Sequence, residues 1–167
     1  MERMAVATSR KGVPGLNPNN AEEFEDVRPL ADPGRGLGML LLRAREVVLA
    51  EYRPIFRSCN LTEQQWRILR FIEGQSPMDA TSLSERSVIL APSLTRIIRD
   101  LETRGLIERV VNRVGPSRVL ISISPQGREL VKTIQPLIAD KLNRINSRLT
   151  AVERGQLTAL LDKIIGG

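Results

Sequence analysis

The stretch from Thr81 to Ser124, TSLSERSVILAPSLTRIIRDLETRGLIERVVNRVGPSRVLISIS, constrains this chain most. It begins with a short helical segment in which Leu83 faces inward, followed by a turn, Val88-Ile89-Leu90, expected to pack inside. Pro92 suits the first turn of a second helix, where its missing N–H costs little. Leu94, Ile97, Ile98 and Leu101 form the buried face of that helix, and Gly105 caps its end. Ile107 to Val111 and Val119 to Ile123 are rich in β-branched residues and read as strands. Between them Asn112-Arg113-Val114-Gly115-Pro116-Ser117-Arg118 makes a turn-rich, positively charged tip. Helix, turn, helix and hairpin in that order predict a winged helix-turn-helix. The fold class is mainly α with a small β-hairpin wing.

The flanks divide the chain. Residues 1–34 carry Pro14, Pro18, Pro29 and Pro33 with a polar NPNN stretch and no apolar period, which predicts a flexible arm. Its Arg3, Arg10 and Lys11 are followed by Glu22, Glu23, Glu25 and Asp26, so a solvated tail is preferred to a DNA-reaching arm. Residues 35–60 read as an N-terminal dimerisation helix, with Leu37, Leu40, Leu41, Ala44, Val47, Val48 and Ile55 on one stripe and Pro54 bending or interrupting it near its end. Residues 61–123 hold the DNA-binding region, which opens with a capping box at Thr62 and Gln65 and a helix stopped by Gly74. Residues 124–167 form two C-terminal dimerisation helices. The first is capped by Ser124 with Pro125 behind it, and the second by Thr150 and Glu153. For Leu157 to Ile165, packing between subunits is favoured over an internal core.

Composition narrows the function. A formal charge of +6 and a pI near 10.4 suit a polyanionic partner, because each cation near a phosphate releases counterions; a basic but inert surface is the alternative. The chain has no His, which removes a His general base and any His-ligated metal. Its one cysteine, Cys59, excludes an internal disulfide and a Cys-cluster zinc site. No cofactor, metal site or enzyme activity is expected. Nor is a membrane span or a secretory leader, and a cytoplasmic location is the default.

A major groove admits one α-helix, pinned from behind by apolar contacts with polar residues toward the base edges. On the helix from Pro92 to Arg104, Ser93, Thr95, Arg96 and Arg99 fall on the outward side. Arg96 is the candidate for bidentate pairing with guanine, and Ser93 and Thr95 serve bases or phosphates. Arg113 and Arg118 on the hairpin tip are placed to enter a minor groove or track the backbone. The competing reading pairs Arg96 and Arg99 with Asp100 and Glu102 on a solvated face. Glu85 to Arg118 holds seven arginines against four acidic residues, a local net charge of +3, which favours double-stranded DNA. A dimer reading two half-sites about one turn (~34 Å) apart is the natural arrangement.

The segments LTEQQWRILRFI, PSLTRIIRDLETRGLIERV and VLISISPQGRELV resemble the multiple-antibiotic-resistance regulator (MarR) family over about residues 36–165. ILAPSLTRI together with LLLRARE looks like the branch that represses homoprotocatechuate (4-hydroxyphenylacetate) degradation operons. The resemblance implies a homodimer with interlocked terminal helices, two lobes on a palindromic operator, and release by a phenolic or aromatic carboxylate ligand. Ser93, Thr95 and Arg96 fall on the family's recognition-helix motif, and Arg118 on a wing arginine. The wing departs from the family's usual Asp-x-Arg-Arg: Gly115, Pro116, Ser117 and Arg118 lack the acidic residue and one arginine, with Arg113 as the available replacement charge.

An aromatic acid needs an apolar slot and one cation. Arg43 and Arg45, beside Phe56 and Trp66, offer both; the plainer reading makes Phe56 and Trp66 core residues of an aromatic-poor chain. An aromatic acyl-CoA thioester is the rival ligand, and a regulator without an effector the rival function. Cys59 is read as a packing residue in preference to a redox sensor.

Overall fold

The structure, a computed structural model, describes residues 33–112 and 118–166. The expected arm therefore lies almost wholly outside the described residues, and so do Arg113 and Gly115 to Ser117. Contacts divide the chain into two compact units, Met1–Leu42 and Arg43–Gly167. In the first, a 3-10 turn at Pro33–Arg35 precedes the opening turns of helix α1 (Leu37–Ser58), where Leu37, Met39, Leu40, Leu41 and Leu42 are exposed.

The second unit holds the rest of α1, then α2 (Glu63–Gln75), α3 (Ala80–Ser87), α4 (Ala91–Thr103), strands β1 (Ile107–Asn112) and β2 (Arg118–Ile123), α5 (Pro125–Asn146) and α6 (Ala151–Ile165). The predicted caps form as local chemistry dictates. Thr62 accepts from the Gln65 amide while the Gln65 side chain accepts from the Thr62 amide, and Thr150 and Glu153 repeat the exchange. Ser124 caps α5 with Pro125 at its first position. At α3 the cap is Asp79, whose carboxylate accepts from both the amide and the hydroxyl of Ser82; these bonds hold it below the usual carboxylate range.

β1 and β2 pair antiparallel with Ile107 opposite Ile123 and Asn112 opposite Arg118. Met78 adds a one-residue rung to the outer edge of β2, exchanging two backbone hydrogen bonds of 2.9 and 2.7 Å with Ile121. Gly127, in the first turn of α5, lies against the Leu106 carbonyl, where a Cβ would stand 2.0 Å from the oxygen. The core gathers Ile68, Leu69 and Ile72 of α2 with Leu83, Leu94, Ile98 and Leu101, and closes with Val131 and Ile134 of α5. This packing fixes α4 from behind.

Three local expectations change. α2 runs through Gly74 to Gln75, and it ends where Ser76 turns extended ahead of Pro77, as the residue before a proline prefers. Of the two readings of Pro54, interruption is excluded, since α1 continues past it to Ser58. In the turn between α3 and α4 only Ile89 is buried, whereas Val88 and Leu90 face solvent. Val88 holds the left-handed conformation that closes α3, and this turns its side chain away from the core. Beyond Ile134 the stripe of α5 becomes exposed at Leu137 and Leu142, and α6 buries no residue at all.

Candidate nucleic-acid interface and aromatic cavity

Helix α4 is amphipathic in the sense a groove-reading helix requires. Leu94, Ile98 and Leu101 are buried, while Ser93, Thr95, Arg96 and Arg99 are all exposed. The acids that might neutralise it are engaged elsewhere. Asp100 accepts from Gln65 Nε2 at 2.7 Å and pairs with Arg104 at 3.5 Å, and Glu102 accepts from Arg109 Nε at 3.0 Å. Among the described residues Arg96 and Arg99 have no ion pair or side-chain hydrogen bond. Their guanidinium donors face water and are available to phosphate or base edges.

Ser93, Arg96 and Asp100 of α4 line a polar cleft of about 440 Å³ with Thr62, Gln64 and Gln65 at the start of α2. The Thr95 hydroxyl donates to the Ala91 carbonyl at 3.0 Å, so toward DNA it acts as an acceptor and presents its methyl group. Arg118 opens β2 opposite Asn112. Arg113, the other wing cation, lies outside the described residues.

A second site lies between α1 and α2. Tyr52, Phe56 and Trp66 stack in succession, with ring centroids 6.2 and 6.1 Å apart. Together with Leu49, Phe71, Glu63, Arg67 and Arg70 they line a mostly apolar cavity of about 390 Å³. Burial pushes the Tyr52 phenol above its ordinary pKa. Arg70 lies 5.9 Å over the Trp66 ring and donates to Glu73 at 3.1 Å and Gln135 at 3.2 Å.

Arg67 donates to Glu63 through one nitrogen and to the Ser87 carbonyl, at 2.8 Å, through the other. Glu63 also accepts from Arg45 at 2.6 and 2.8 Å. Arg45 lines an adjacent, more polar depression with Arg53, Phe56 and Glu63, and Arg43 lines neither.

Residues 61–112, from the start of α2 to the end of β1, match the model of the MarR family. The homoprotocatechuate degradative operon repressor of Escherichia coli is 38% identical over 129 residues, which cover 77% of this chain and 87% of that one. The chain belongs to the MarR family. It is a DNA-binding transcriptional regulator related to repressors of aromatic-degradation operons, and the family is one of regulators and not of enzymes. The HTH-type transcriptional regulator FarR of Neisseria gonorrhoeae is 33% identical over 109 residues, 65% of this chain and 75% of that one. Among solved structures NadR, in complex with 4-hydroxyphenylacetate, superposes with a TM-score of 0.70 at 30% identity, covering 78% of this chain and 96% of that one. The mainly helical fold with its hairpin wing is that of MarR-family structures.

The structure brings Phe56 and Trp66 together in the apolar cavity with Arg67 and Arg70, while Arg45 shares the adjacent depression with Phe56. Sequence reasoning passed over Arg67 and Arg70. A signal was present, since Glu63, Trp66, Arg67 and Arg70 stand at spacings of three, four and seven on one helix face.

Proposed function

We propose that this MarR-family chain is a homodimeric repressor that reads a palindromic operator through α4 and is released from it by a small aromatic acid. The observation that carries the reading is the pair Arg96 and Arg99, exposed and without an ion-pair partner among the described residues, at the outer face of a helix held by the core. Arg96 reads a guanine edge, with Ser93 and Thr95 beside it, and Arg99 holds phosphate. Arg113 and Arg118 carry the wing onto flanking DNA.

Dimerisation is supported by apolar side chains that no described residue covers. Leu157, Leu160, Ile164 and Ile165 of α6 are exposed, as are the leucines opening α1. Residues 35–60 and 124–167 supply the dimer surface in this reading.

The aromatic cavity takes the effector, with its ring against Phe56 and Trp66. A volume of about 390 Å³ suits a phenolic or phenylacetic acid and leaves the nucleotide part of a CoA thioester outside. Arg67 and Arg70 supply the cation for its carboxylate, and Arg45 and Arg43 stand further along α1. Release follows from the position of Arg67. A carboxylate that draws it toward the cavity takes a donor from Ser87, the last residue of α3, and loosens the turn that aims α4.

A gel-shift titration on the intergenic DNA upstream of the regulated operon tests this. Saturable binding that survives competitor DNA, and weakens when 4-hydroxyphenylacetate or homoprotocatechuate is added, is expected. Sequence-independent binding would overturn the DNA reading, and indifference to every aromatic acid would overturn the effector.

A further inference from the structure

The turn from α3 to α4 breaks three local rules at once, and nothing among the described residues compensates. Val88 is β-branched yet held at φ 52° and ψ 46°, a conformation that favours Gly or Asn. Leu90 occupies the N-cap of α4, where Ser, Thr, Asp or Asn would bond a free amide, and no side chain caps that helix. Both side chains are left in water, Val88 83% and Leu90 80% exposed, while Ile89 between them is 4% exposed. Violations of this kind are expected where a site has been bought at the expense of the fold.

The place identifies the occupant. Leu90 is the N-cap of α4, three residues before Ser93 and six before Arg96, and all three are exposed at that end of the helix. In a major groove the one apolar group among the base edges is the C5-methyl of thymine. We infer that Leu90 packs on a thymine methyl and is a specificity-determining residue. It favours thymine, through its methyl, at one position in each half-site. Polar side chains can read the O4 acceptor of thymine, but they cannot sense its methyl, and that contact is what an apolar residue at this place adds.

This inference rests on the reading of α4 as the recognition helix, and the experiment separates the two. Operator duplexes are recovered by in vitro selection with the full-length protein, and each thymine is then replaced in turn by deoxyuridine, which removes only the methyl. Binding of the wild type and of Leu90→Ser is followed by fluorescence anisotropy, with thermal unfolding in parallel. Leu90→Ser adds a capping hydroxyl, so its Tm should equal or exceed that of the wild type. The expected result is one thymine per half-site at which deoxyuridine weakens wild-type binding about fourfold, the scale of one buried methyl, and leaves Leu90→Ser indifferent. A wild type that binds selectively but shows no such position, or a Leu90→Ser that loses as much as the wild type at each, overturns the inference and spares the DNA reading. A wild type from which no preferred sequence can be selected overturns both.

Discussion

Arg67 joins the two sites of this molecule through a 2.8 Å hydrogen bond to the carbonyl of Ser87. One end of the side chain belongs to the aromatic cavity; the other fixes the last residue of α3, from which the chain turns left-handed at Val88 and enters α4. A charged donor on a carbonyl is among the stronger hydrogen bonds, and Glu63 holds the same guanidinium in place. In the proposed function, competition between Glu63, Ser87 and an incoming carboxylate for this one cation is the route from ligand to DNA.

Arg67→Gln should accordingly weaken the communication more than either binding event. Coupling free energies between sites commonly lie at about 1–3 kcal/mol. The substitution is expected to cut the factor by which an aromatic acid weakens operator binding toward one, while the acid still quenches Trp66, the only tryptophan of the chain. Anisotropy with and without ligand measures the first and intrinsic fluorescence the second. An undiminished ligand effect would remove Arg67 from the route.

The phenol of Tyr52 offers a pH test, since the chain has a single tyrosine. Burial raises its folded-state pKa, so the fold favours the protonated phenol. The stability tied to this group is fully present below the ordinary tyrosine value of about 10, and it is lost as pH rises through the raised folded value. Phenolate absorbance should show a midpoint above that of free tyrosine, moved higher still when an aromatic acid fills the cavity. A midpoint at the free value would contradict the buried setting.

Gly127→Ala tests the join between the wing and α5. Its Cβ would meet the Leu106 carbonyl at 2.0 Å, in a turn already tied by Ser124, which donates to Gly105 at 2.6 Å and accepts from Gly127 at 2.9 Å. Backbone must shift, and a cost on the order of 1–3 kcal/mol is expected from urea unfolding. Unchanged stability would mean that α5 slides freely over the hairpin.

The features visible in the sequence are those decided within a few residues. The capping boxes at Thr62 and Thr150, the Ser124-Pro125 start and the buried face of α4 depend on spacings of three and four, and they appear as read except that Ile97 of that face is only half-buried. The extent of α2 past Gly74 was misjudged because an isolated glycine weakens a helix without ending it, and Pro77 supplies the actual stop. Val88 and Leu90 read as packed because they are apolar, and only the left-handed turn reveals that they face water. The partners of Asp100 and Glu102 come from Gln65 and Arg109, elements whose approach no local pattern discloses. The freedom of Arg96 is therefore a tertiary fact.

That freedom is also what the account depends on, and it is tested most directly by titrating Arg96→Ala against operator and random duplexes at one salt concentration. A base-reading arginine predicts a loss on the order of 1–3 kcal/mol on the operator, with little change on random DNA. Equal losses on both duplexes would make Arg96 a phosphate contact and contradict the assignment of α4 as the reading helix through this residue.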